Sequence, residues 1–179
     1  YAFAKSLFGN EEGKVYISHD GRESSSDIES ALSIGIMHQG SKVVAIGLLP
    51  TPALSICLNI QKLTEELCAG IQITASHNPY HDNGVKFFNK NGFKIDSILE
   101  EVIENNYFNQ KEEIYAKNQK VSKSDYAEKF NKRYIDYINN YFLLKTKDIK
   151  APKRKFNILV DCANGATSKI INEVLKDSF

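Results

Sequence analysis

The run Thr74-Ala75-Ser76-His77-Asn78-Pro79 sets a hydroxyl, an imidazole and a carboxamide side by side. Ile71, Ile73 and their neighbours read as a short buried strand that stops at Thr74. Ser76 is therefore presented beyond a strand's carboxyl end, where open α/β sheets place ligand chemistry. Pro79 lacks an N–H and biases Asn78 away from helical angles, which predicts a tight, non-helical loop with exposed side chains. The plain alternative is an ordinary turn serine beside Asn and Pro. A serine hydroxyl is a poor nucleophile at neutral pH and needs a base, a metal or a good phosphate donor. Acyl transfer by a serine–histidine pair fits badly, because Ser76 and His77 are adjacent and extended neighbours point their side chains apart. No G-x-S-x-G elbow surrounds the serine either. Phosphoryl transfer fits better, since it asks mainly for a cation, amide donors and a general acid/base near the transferred group.

Candidates for those supporting roles lie close by. Lys86, ten positions after Ser76 and just beyond the Asn83-Gly84 turn, can fold back towards the serine; alone, it reads as an exposed hairpin lysine. Arg22, in His19-Asp20-Gly21-Arg22, offers a forked donor to phosphate or holds its loop by a salt bridge to Asp20 or Glu23. His77 is read as ordering the loop or hydrogen-bonding a phosphate rather than moving a proton. His77 and His81 have the spacing of two ligands on one helical face, but Pro79 between them removes the helix and with it a zinc site. Asp20 and Asp82 are lone carboxylates and read as turn formers.

The elements that must position these residues alternate. Tyr1 to Phe8 reads as the end of a helix closed by Gly9-Asn10, and Lys14 to Ser18 as a strand. Asp27 or Ser26 can cap a helix carrying Ile28, Ala31, Leu32, Gly35, Ile36 and Met37 as far as Gly40. Val43 to Leu49 is a nearly all-apolar strand, broken by Pro50-Thr51-Pro52, and Ala53 to Leu63 follows as a helix. Such alternation predicts an α/β fold, a layered sheet of mostly parallel strands flanked by helices. Three polar loops should then converge at one sheet edge: Asp20 to Ser25, Pro50 to Pro52 and Thr74 to Asn83.

Beyond the serine loop, Val85 to Phe88 and Gly92 to Ile95 suggest a hairpin around Asn91-Gly92. Ser97 with Glu100 reads as a capping box for a short helix bearing Ile98, Leu99, Val102 and Ile103, followed by an irregular stretch from Asn105 to Ser122. Ser124 to Leu144 is a helix with an aromatic stripe, Tyr126, Phe130, Tyr134, Tyr137, Tyr141 and Phe142, assigned to core packing. Lys145 to Lys155 reads as a basic linker, Phe156 to Val160 as a strand, Asp161 to Ala166 as a turn and Thr167 to Lys176 as a helix. One β-α unit cannot bury both faces of its strand, so this piece is expected to open a second domain. The expected division is 1–150 for the first domain and 151–179 for a linker and the truncated start of the second. A chain that begins at Tyr1 and stops inside a helix reads as a fragment.

Hydrophobic residues make up 42% and charged residues 25% of the chain, and a net charge of +1 gives no field for nucleic acid or a membrane surface. No apolar run is long enough to span a bilayer, and no signal-peptide pattern is present. Cys57, Cys68 and Cys162 are odd in number, far apart and set among apolar residues, which predicts reduced core thiols and a cytoplasmic home.

The loop together with its continuation Tyr80-His81-Asp82-Asn83-Gly84-Val85-Lys86-Phe87-Phe88 resembles the phosphoserine loop of the α-D-phosphohexomutases, nearest to the phosphoglucosamine mutase branch. Val160-Asp161-Cys162-Ala163-Asn164-Gly165-Ala166 is similar to the opening of that family's second domain. Gly21 departs from the phosphoglucosamine branch, which more often has Thr there.

The resemblance implies an isomerisation of a hexose phosphate through a bisphosphate intermediate. It casts Ser76 as the phosphorylated residue, Lys86 as acid/base, His77 as a third catalytic residue, and Arg22 and Asn78 as phosphate-binding. It also implies Mg²⁺ bound through phosphorylated Ser76 and an activating sugar bisphosphate. In the phosphoglucosamine branch, glucosamine 6-phosphate and glucosamine 1-phosphate are interconverted, feeding cell-wall precursor synthesis. Partners are limited to the hexose phosphate, with neither nucleic acid nor membrane, and oligomeric state stays open. Other readings are a phosphomannomutase/phosphoglucomutase of the same family and a non-catalytic sugar-phosphate binding module. The family's Asp-Gly-Asp-Gly-Asp-Arg metal run does not occur, so these 179 residues alone are expected to lack mutase activity.

Overall fold

The computed structural model describes residues 1–61, 67–111, 122–123, 126–147 and 157–176. Its centre is β1 (Lys14–His19), flanked by β2 (Lys42–Leu48) and β3 (Cys68–Ile73), and all three strands run parallel. A short antiparallel strand, β4 (Val85–Phe88), closes one edge, and β5 (Ser122–Lys123) pairs in parallel along the other, giving the order β4-β3-β1-β2-β5. The predicted mostly parallel sheet is therefore observed, with one edge strand reversed. β5 falls at the end of the stretch expected to be irregular; two residues carry too little pattern to register as a strand.

Period-two alternation divides the side chains of β1 between two cores. Val15 and Ile17 join Ile71, Ile73 and Val43 beneath α1 (Ala2–Phe8), α2 (Ser25–Gln39) and α4 (Ser97–Phe108). Tyr16 faces the other way, among Val44, Ile46, Leu54, Leu58 and Phe130, under α3 (Thr51–Gln61) and α5 (Tyr126–Thr146). The result is three layers, helices–sheet–helices. β3 is buried along its whole length because helices cover both of its faces and a strand pairs with each of its edges.

Caps and turns set the boundaries. Gly9 (φ 62°) and Gly40 (φ 103°) end α1 and α2 in backbone conformations that glycine adopts freely. The cap of α2 falls two to three residues ahead of those expected: Ser24 is its N-cap residue, without a side-chain cap bond, and Ser26 and Asp27 lie inside the first turn. The box expected of Ser97 is likewise displaced, because the Asp96 carboxylate accepts the Leu99 N–H at 2.9 Å. α4 continues to Phe108, so Asn105 to Phe108 is helical rather than irregular. The hairpin at Asn91-Gly92 is reduced to a turn with a single bridge, Phe88 to Lys94. Gly92 (φ 78°) lies so close to the Ser55 carbonyl that a Cβ would stand 2.0 Å from its oxygen, so this turn is pressed onto α3.

The aromatic stripe of α5 divides in two. Phe130 is fully buried, 5.2 Å from the Tyr16 ring, whereas Tyr137 and Tyr141 are exposed. Cys57 lies under α5, its thiol donating to the Phe130 carbonyl at 3.4 Å, and burial pushes that thiol from 9.0 up to about 12. It is a packing group, not a nucleophile.

The expected strand from Phe156 to Val160 is not seen at 157–160, where no partner strand lies among the described residues and Leu159 is 98% exposed. Phe156, Leu63 and most of the linker fall outside the described residues. The expected helix after the turn is broken into a 3-10 turn (Ala166–Lys169) and α6 (Ile171–Lys176), and buried Ile170 shares a crevice with Ile135 of α5. Among the described residues no helix is long and apolar enough to cross a membrane.

Candidate active site

The three central strands end on one side of the sheet, and the loops that follow them meet there. Asp20 to Glu23, Pro50 to Pro52 and the Thr74 to Tyr80 segment line one open cleft, as the alternation of elements predicted. A fourth wall comes from Cys162 to Thr167, so Cys162, expected in the core with Cys57 and Cys68, is instead half-buried at the cleft. The cleft encloses about 780 Å³, within the roughly 300–1,000 Å³ range of small-molecule sites.

Ser76 is exposed at this cleft in the left-handed region, with φ 56°. A non-glycine residue held there costs on the order of 1–3 kcal/mol and persists only where its surroundings determine it. They do so through hydrogen bonds on both sides of the residue. The Ser76 N–H donates to Thr74 Oγ1 at 3.0 Å, and its carbonyl accepts from Arg22 Nη2 at 2.9 Å. Thr74 Oγ1 donates in turn to Asp20 Oδ2 at 2.6 Å, and Arg22 Nε donates to that same oxygen at 3.1 Å. The side-chain hydroxyl of Ser76 is left facing the cleft, beyond the carboxyl end of β3.

His77 and Asn78 follow Ser76 on the cleft wall, both exposed. The Asn78 carboxamide donates to Asp82 Oδ2 at 3.3 Å. Arg22, expected to contact phosphate or to hold its loop, points its guanidinium inward under the serine loop and is 12% exposed. Its expected ion pair with Asp20 is present. Lys86 is half-buried on β4, opposite Gln72 of β3, and does not line the cleft. It sits one residue from the strand end that faces the site, as Val85 pairs with Ile73. Among the described residues no group of three or more His, Cys, Asp or Glu is placed to hold a metal.

A model of phosphoglucomutase/phosphomannomutase α/β/α domain I matches residues 1–114. The chain belongs to the phosphoglucomutase/phosphomannomutase family. Its relatives include the phosphoglucosamine mutases of Caldicellulosiruptor saccharolyticus, 37% identical over 92% of this chain, and of Marinomonas sp., 36% identical over 97%. The chain spans about a third of the length of these curated relatives, 34% and 36% respectively. Among solved structures, a Thermus thermophilus protein provisionally named a phosphomannomutase superposes with TM-score 0.66 and 29% identity, over 81% of this chain and 31% of that one. A phosphoglucomutase/phosphomannomutase family protein from Burkholderia thailandensis matches at TM-score 0.70 and 21% identity, over 99% of this chain and 36% of its own; that likeness speaks to the fold.

Several features of the cleft escaped the sequence. Gln72 is fully buried in β3, taking a hydrogen bond from Ser18 Oγ at 2.7 Å and donating to the Leu49 carbonyl at 3.1 Å. It thereby fixes the strand end that leads into Pro50-Thr51-Pro52. An amide in an otherwise apolar strand was its only signal. Asp20 read as a turn former, whereas its carboxylate holds both Thr74 and Arg22. Gly21 takes φ 100°, a conformation that a residue with a side chain rarely adopts.

Proposed function

We propose that this chain is the phosphoserine-bearing first domain, residues 1–150, of a phosphoglucosamine mutase, with 151–179 as the linker and the start of its second domain. The observation that carries this is Ser76, an exposed hydroxyl held in a left-handed turn at a strand end in a cleft of suitable size. The phosphoglucosamine mutase relatives support the choice of sugar.

Phosphorylated Ser76 gives its phosphoryl group to one oxygen of the bound sugar phosphate: the Oγ–P bond breaks as the sugar O–P bond forms. The proton of the sugar hydroxyl passes to a base; Lys86, outside the cleft lining but one residue from the end of β4 that faces the site, is the candidate. The bisphosphate turns over, its other phosphate returns to Ser76 Oγ, and the proton returns to the freed sugar oxygen. His77 and Asn78 bind and orient the phosphate from the rim. A sugar bisphosphate supplies the first phosphate to Ser76.

The phosphate oxygens of Ser76 suit Mg²⁺, a hard cation that takes oxygen ligands. The Asp20 carboxylate, which belongs to the network that holds the serine loop, is already engaged by Arg22 and Thr74. The phosphoserine would be the donor this loop offers the ion, and the ion would offset that group's negative charge.

A phosphomannomutase/phosphoglucomutase is the second reading, favoured by the likeness to the Thermus thermophilus protein, which carries the phosphomannomutase name. Turnover of glucosamine, mannose and glucose 6-phosphates by the complete gene product separates the two. The expected result is a kcat/KM at least about tenfold higher for glucosamine 6-phosphate, roughly 1.4 kcal/mol of transition-state discrimination. A preference for mannose or glucose phosphate reassigns the substrate. The 179 residues alone should turn over none of the three.

A further inference from the structure

We infer that Asp20, Arg22 and Thr74 form a positioning set that holds Ser76 in its left-handed conformation, and that Arg22 acts through the loop backbone rather than on phosphate. The inference rests on the phosphoserine reading for its consequence in catalysis, but its geometry stands apart from that reading.

A guanidinium has five N–H donors and no acceptor. In this structure each one is spent inside the protein. Nε donates to Asp20 Oδ2 at 3.1 Å; Nη1 donates to the carbonyls of Pro79 and Asp82 at 2.5 and 2.9 Å. Nη2 donates to the carbonyls of Ser76 and Asn78 at 2.9 and 3.0 Å. No N–H remains for a ligand. Four carbonyls from a single loop turn inward onto one planar cation, which is how a surface loop with little regular structure satisfies its backbone without water.

The consequence for Ser76 follows from where the bonds fall. One on its N–H and one on its carbonyl restrict both backbone torsions, and the two run back to a single oxygen, Asp20 Oδ2. The Asp20 amide donates to the Ile73 carbonyl at 3.1 Å, so this carboxylate is itself anchored across the ends of β1 and β3. The hydroxyl orientation is thereby tied to the rigid sheet rather than to the loop alone. A phosphate-binding arginine would need free donors directed into the cleft.

Arg22→Lys separates the two roles. Lysine keeps the charge but has one nitrogen with three donors and cannot span the same acceptors. Hydrogen–deuterium exchange mass spectrometry of the complete gene product reads the loop directly, from peptides covering 75–83 and, as control, β3. For both Arg22→Ala and Arg22→Lys, the loop amides should exchange at least about tenfold faster while β3 stays within about twofold. With glucosamine 6-phosphate, kcat should fall at least about tenfold in both variants, with KM within about threefold.

Unchanged loop exchange overturns the inference. So does near-normal kcat for Arg22→Lys beside a raised KM for Arg22→Ala, because charge alone would then suffice, as at a phosphate contact. Loss of protection in β3 together with the loop, in both variants, overturns it as well, since Arg22 would then be a determinant of the whole fold. If the unsubstituted protein turned over no hexose phosphate, the mutase reading would fail while the exchange result still decided the role of Arg22.

Discussion

Ser76→Ala in the complete gene product is expected to lower hexose phosphate turnover by at least about a thousandfold, close to 4 kcal/mol of barrier, with little change in stability. The hydroxyl is the only group removed. It is exposed and faces the cleft, so no buried hydrogen bond is lost and no cavity opens. Backbone strain also cancels, since alanine meets the same left-handed cost as serine at φ 56°. The change in unfolding free energy should stay within about 0.5 kcal/mol, as for other exposed substitutions. A loss of activity accompanied by a large loss of stability would show that Ser76 serves the fold. Retained turnover would remove the phosphoserine mechanism altogether.

Phe130→Ala is expected to destabilise the chain by about 3–5 kcal/mol in urea unfolding, the range for deleting a fully buried aromatic ring. Phe130 is wholly inaccessible and packs its ring 5.2 Å from Tyr16 and 6.4 Å from Tyr126, and its carbonyl receives the Cys57 thiol. Truncation leaves a void between α5 and the centre of the sheet, against the strand that leads to Asp20. Tyr141→Ala is the internal control: further along the same stripe, the residue is 52% exposed, and about 0.5 kcal/mol or less is expected. Equal effects at the two positions would contradict the packing of α5 by its first half.

That contrast shows where sequence patterning stops. The stripe from Tyr126 to Phe142 marks a helix and an apolar face, but its period does not reveal how far along the helix the sheet extends. The same limit applies at the ends of elements. Ser97 with Glu100 satisfies the spacing of a capping box, yet Asp96 takes the cap, because both residues can do so and only the angle at which the chain approaches the helix decides. By contrast, the β-α alternation from Lys14 to Ile73 left little freedom. Nearly continuous apolar strands must be covered on both faces, and parallel pairing then brings the following loops together, as Asp20, Pro50 and Ser76 show.

Within the site, the loop was legible and its support was not. Pro79 and the Asn83-Gly84 pair announce a tight turn, and Ser76 emerges from it exposed. The role of Arg22 depends on four carbonyls that lie 54 to 60 positions away in the chain, and backbone acceptors carry no residue signature. Gln72 is similar: its partners are a serine on β1 and a carbonyl at the end of β2, brought together only when the sheet forms. The wall from Cys162 to Thr167 needed α5 and α6 to dock before it could be placed.

The presence of phosphate on Ser76 tests the central claim most directly. Intact and peptide mass spectrometry of the complete gene product, purified from its own cells, should find a single added phosphate, about 80 Da for one phosphoryl group, on the peptide containing Ser76. The modified fraction should change when the protein is incubated with a hexose bisphosphate or with hexose phosphate. A serine that is never phosphorylated, either in cells or after incubation with bisphosphate, would contradict the account.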